Sequence, residues 1–138
     1  MNRLILLLTT IAIINFSCTG SDRYDISSED KYENSKESLA KTESKYPERF
    51  LKVSGSNKKN FFGQTVVNGL IVNTAKIVVF KDVGLKFQFY SKTGALLEED
   101  SQIIYETIRP GGSKSFKTKY FTPKATDSVA IKVMTAKF

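Results

Sequence analysis

The stretch Gly84-Leu85-Lys86-Phe87-Gln88-Phe89-Tyr90 alternates large apolar and polar side chains without interruption. A strand turns successive side chains to opposite faces, so Leu85, Phe87 and Phe89 share one face and Lys86, Gln88 and Tyr90 the other. A helix would scatter those rings around its axis. The pattern returns near the carboxy end, where Val129, Ile131 and Val133 alternate with Ala130, Lys132 and Met134. Residues 64–72 (QTVVNGLIV) read as a further strand, in which Gly69 marks a bulge or a close backbone approach. Turn chemistry separates these runs. Ser91-Lys92-Thr93-Gly94 joins Phe89-Tyr90 to Ala95-Leu96-Leu97 as a hairpin, with Gly94 accepting a positive φ. Arg109-Pro110-Gly111-Gly112-Ser113 ends residues 103–108 and leads into residues 116–120, and residues 121–125 separate that run from the last strand. About seven short strands, with turn signals between them and no convincing helix, predict an all-β, immunoglobulin-like β-sandwich over residues 46–138.

The order Asn73-Thr74-Ala75, Phe80-Lys81-Asp82-Val83, Phe87-Gln88-Phe89-Tyr90-Ser91-Lys92-Thr93-Gly94 and Pro110-Gly111-Gly112-Ser113 to Phe116 resembles small immunoglobulin-like domains of bacterial envelope proteins. The nearest of these is the FxLYD group. Its signature maps onto residues 87–91, with Phe89 at the Leu position and Ser91 at the Asp position. The resemblance spans residues 64–138 and implies a core strand, a hairpin turn and a Pro-Gly turn. It implies no enzymatic activity and carries over no catalytic residue.

The amino terminus is of a different kind. Arg3 precedes an apolar run over residues 4–14, and Ser17 then precedes Cys18, the only cysteine. A membrane span takes about 20 apolar residues, so this run is short for a permanent anchor. It also lacks the polar face of a core helix. The segment resembles bacterial lipoprotein signal peptides, in which a small residue precedes an invariant cysteine; Ser17 and Cys18 match, while Asn15 and Phe16 depart from the strict pattern. The resemblance implies cleavage before Cys18, a diacylglyceryl thioether on its sulfur, and often an acyl chain such as palmitate on the new amino terminus. Residues 1–17 are then the signal peptide. Residues 18–45, rich in Ser, Glu and Lys, read as a lipid-attached disordered tether that cannot bury enough surface to offset ordering. A short helix over residues 28–44 is the alternative, with no apolar stripe by which to dock. The expected place is a bacterial cell envelope, lipid-anchored, at the outer membrane and facing periplasm or surface.

The absence of histidine removes the commonest metal ligand and the usual near-neutral proton shuttle, and with them every Ser-His or Cys-His pairing. We therefore expect no catalytic residue, no metal and no cofactor. A small carboxylate-based glycan hydrolase remains the weakest reading, because the strand region offers no spaced Asp or Glu pair. Glu98-Glu99-Asp100 is the one dense acidic cluster, expected at a solvated hairpin end. From Tyr46 onward 15 Lys and Arg face seven Asp and Glu. That excess raises electrostatic binding of an anionic glycan or other polymer as an alternative function. The basic residues stand singly in sequence, however, so a solvated surface with Lys-guarded sheet edges is the expectation. Nucleic acid is not an expected partner. Candidate binding residues are Tyr90, Tyr105 and Tyr120 as an exposed aromatic face, and Phe61 and Phe62 within Lys58-Lys59-Asn60-Phe61-Phe62-Gly63. The expected partners are a membrane, through lipid on Cys18, and an envelope protein or glycan. Recognition would use loops at a sandwich end or strand addition at a sheet edge.

Overall fold

The computed structural model describes residues 28–138, so the expected signal peptide (residues 1–17), Cys18 and the first part of the expected tether (residues 18–27) lie outside the described residues. Among the described residues six strands form: β1 (Leu51–Lys59), β2 (Thr65–Asn73), β3 (Phe80–Ser91), β4 (Leu96–Ile108), β5 (Ser113–Tyr120) and β6 (Thr126–Lys137). All pair antiparallel, in two three-stranded sheets of order β1-β2-β5 and β4-β3-β6. The all-β sandwich is as expected, with six strands where the turn signals suggested about seven. The difference lies in β4. Residues 96–108 are one continuous strand, and Glu98, Glu99 and Asp100 pair mid-strand with Phe89, Gln88 and Phe87. They are not at a hairpin end.

Alternation on β3 works as read: Leu85, Phe87 and Phe89 are buried against Val67, Ile71 and Phe116 of the facing sheet. The Phe87 ring meets Phe116 edge-on at 6.1 Å. Removing each such side chain from water contributes about 1.5–3 kcal/mol. Phe80 and Val83 both point inward although three residues apart, and a register shift between Lys81 and Val83, with Asp82 at φ 45°, makes this possible. Gly69 marks a close approach and not a bulge. Its pairing with Gly55 and Phe116 is in unbroken register, and a Cβ there would lie 2.2 Å from Phe116 Cζ.

Two helices precede the sandwich, α1 (Ser28–Lys45) and α2 (Pro47–Phe50). Over Ser28–Lys45 the expected disordered tether is instead helical. Glu29 and Asp30 in the first turn and Lys45 in the last complement the helix dipole. No apolar stripe docks α1; a carboxylate does. Glu43 is fully buried and accepts the backbone N–H groups of Lys76 (2.6 Å), Ile77 (3.0 Å) and Val78 (3.0 Å), in the β2–β3 connection. Burial opposes its ionisation, but these three donors and the Lys76 charge outweigh burial and hold its pKa below the ordinary value.

That connection is fixed in turn by Asn73. The buried Asn73 amide donates from Nδ2 to Val78 O and Ile108 O, both at 2.9 Å, and its Oδ1 accepts from Ala75 N at 2.9 Å. A continuous line of hydrogen bonds therefore runs from α1 through the loop to Ile108, the last residue of β4. Because β2 runs from Thr65 to Asn73, α1 and this loop occupy one pole of the sandwich. The opposite pole carries the β1–β2 turn (residues 60–64), the β3–β4 turn (91–95) and the β5–β6 connection (121–125).

Candidate functional site

The loops of that second pole are braced. Asn60 opens the β1–β2 turn: its Oδ1 accepts from Phe62 N (3.0 Å) and Gln64 N (2.9 Å), and its Nδ2 donates to Gln64 Oε1 (2.9 Å). Gly63 N closes the turn on Asn60 O at 3.1 Å, with Gly63 at φ 75°, where a side chain would be strained. Between these fixed points the two phenylalanines have nowhere to go but outward. Phe61 is 99% exposed and Phe62 79%, with their rings edge-on at 5.9 Å. The neighbouring connection is tied on by Lys59 Nζ to Lys124 O (2.7 Å) and by Thr65 Oγ1 to Thr122 Oγ1 (2.6 Å). It adds a third exposed ring, Phe121. Phe121 carries no mark of this role in its own sequence neighbourhood, because only the β2–β5 pairing brings it to the pole of Phe61 and Phe62.

The three tyrosines do not form one face. Tyr90 lies on the outer side of β3 near the β3–β4 turn, half-buried, paired with Leu96 and Ser128. Tyr105 is exposed at the far end of β4. Tyr120 corrects the expectation most: it is turned inward, its ring 5.1 Å from both Phe87 and Phe89, with its hydroxyl donating to Gln102 Oε1 at 3.1 Å. Burial, with the Asp100 charge, raises its pKa. Inner-side alternation on β5 puts Tyr120 with Phe116 and Thr118 as a lid on the core.

The acidic cluster also has a structural setting. Glu98 and Asp100 share the inner parity of their partners Phe89 and Phe87, at an exposed edge of the sheet. Inward-pointing charges on an edge strand discourage pairing with another chain, which argues against strand addition at β4. Glu99, on the outer side, accepts from Gln88 Nε2 and from Lys86 Nζ (3.1 Å), and these donors lower its pKa. Among the described residues no group of three or more His, Cys, Asp or Glu is placed to hold a metal ion. A groove of about 550 Å³ runs between α1 and the β2–β3 connection, lined by Tyr32, Leu39, Lys76 and Ile77 among others.

No protein-family model matches the chain, and no curated protein matches it. Among solved structures, a DUF1425 family member from Shewanella sp. pv-4 aligns over 64% of this chain and 80% of that chain, at 15% identity and a TM-score of 0.45.

Proposed function

We propose that this chain is a bacterial cell-envelope lipoprotein, held to a membrane by lipid on Cys18, whose β-sandwich is a non-catalytic binding module related to the FxLYD-like envelope domains. The supporting observation is the aromatic pole. Three phenylalanines stand in solvent on braced loops, at the end of the sandwich remote from α1. Exposed apolar side chains on a rigid turn mark a contact surface, since a monomer gains nothing by showing them to water. A chain anchored through its amino terminus would present this pole away from its point of attachment. The 18 residues of α1, about 27 Å long, would serve as a spacer. Outer-membrane attachment, facing periplasm or surface, is part of this reading.

A photoreactive residue at position 61, introduced in intact cells, tests it. An adduct of defined mass, lipid or protein, is expected from position 61 and not from position 105. Phe61→Ser with Phe62→Ser should abolish contact while changing unfolding free energy by less than about 0.5 kcal/mol, because neither ring packs on the core. Equal labelling from both positions, or none from position 61, would contradict the reading.

A further inference from the structure

The basic residues that stand singly in sequence are gathered by the fold. Strands β1, β2 and β5, with the turn at residues 60–64, carry Lys52, Lys58, Lys59, Lys114, Lys117 and Lys119 and no Asp or Glu. Strand β4 of the other sheet carries Glu98, Glu99, Asp100 and Glu106 and no Lys or Arg. On the outer face of the first sheet, Lys58 and Lys119 flank Val66, and the next row sets Lys117 beside Asn68. The ion pairs among the described residues are Lys86–Glu99, Lys114–Glu106 and Lys137–Asp82; Lys52, Lys58, Lys117 and Lys119 belong to none of them. The carboxylate-free sheet ends at the three exposed phenylalanines, with Lys58, Lys59, Lys119 and Lys124 just behind them. Asp127, at the start of β6, adjoins these loops, and Glu98 of the other sheet follows the β3–β4 turn at the same pole.

Resting on the reading of this pole as the contact surface, we propose that its partner is an anionic lipid bilayer lying opposite the membrane that holds Cys18: Phe61, Phe62 and Phe121 enter the interface while the lysines behind them meet lipid phosphates. Two features favour a bilayer over a protein or polymer. The three rings stand out into solvent, and a protein partner would need matching pockets for them, whereas a fluid interface deforms around them. A soluble polyanion, for its part, satisfies lysines but leaves the phenylalanines in water. Apolar rings that reach the headgroup and acyl boundary, backed by lysines, suit such a surface, where each lysine is drawn to negative surface potential.

The chain has no tryptophan, so full-length protein carrying Phe62→Trp has one reporter, placed at the tip. Vesicles containing brominated phosphatidylglycerol should shift its emission to the blue and quench it; brominated phosphatidylcholine vesicles should do neither. Adding Lys58→Glu and Lys119→Glu should weaken vesicle binding about tenfold or more. Equal quenching by both vesicle types, or by neither, would overturn the proposal. So would a spectral response to polyphosphate without vesicle quenching. A protein adduct from position 61 alongside an unquenched tryptophan would leave the contact pole standing and remove the bilayer as its partner.

Discussion

Asn73→Ala is expected to lower the unfolding free energy by about 4 kcal/mol. The substitution removes little volume, so a volume argument alone would predict a mild effect. Its weight comes from polar groups left behind. Val78 O, Ile108 O and Ala75 N all lose their partner at once, the last two in the buried interior and Val78 O half-buried. Each abandoned buried group costs about 1–3 kcal/mol, and partial relaxation of the loop keeps the sum near the lower end. Urea denaturation measures it. A loss below about 1 kcal/mol would show that the loop finds substitute partners and that Asn73 does not hold it.

Glu43→Ala should detach α1 from the sandwich, at a local cost of about 3 kcal/mol. Its carboxylate is the fully buried group of an otherwise solvent-facing helix, and its loss orphans three N–H donors. The measurement is hydrogen exchange at Lys76, Ile77 and Val78, expected to quicken by on the order of 100-fold while β3 amides stay protected. Acid should do the same to the wild-type protein. A carboxylate whose native pKa is lowered stabilises the docked state above its unfolded pKa, about 4.3, and ceases to as pH falls through the native value. Docking should therefore be complete at neutral pH and lost below that window. Glu43→Gln should dock weakly and without this pH dependence. Unchanged exchange in both variants would mean that α1 is held by something other than Glu43.

The sandwich was legible because one-faced burial writes itself as alternation, and β3 and β6 show it plainly. Strand β4 was not, because most of it is an exposed edge: Leu96 to Gln102 carries no buried residue, so its middle reads like a turn. The docking of α1 was invisible for a related reason. A helix attached through one carboxylate and three backbone donors leaves no apolar stripe in its sequence. Tyr120 misled because parity on β5 depends on Phe116 being inward, which the sequence of that lysine-rich strand does not declare. Phe61 and Phe62 were found from local composition, but Phe121 and the basic face needed the β1-β2-β5 pairing, since alternation spaces lysines apart along a strand while the sheet sets them side by side.

Anchoring through the amino terminus depends on lipid at Cys18. The intact mass of protein extracted from membranes tests it most directly. The expected mass is that of a chain that begins at Cys18 and carries a diacylglyceryl group on its sulfur, with or without a further acyl chain on its amino group. A chain that still begins at Met1, or one that keeps Cys18 as a free thiol, would contradict it.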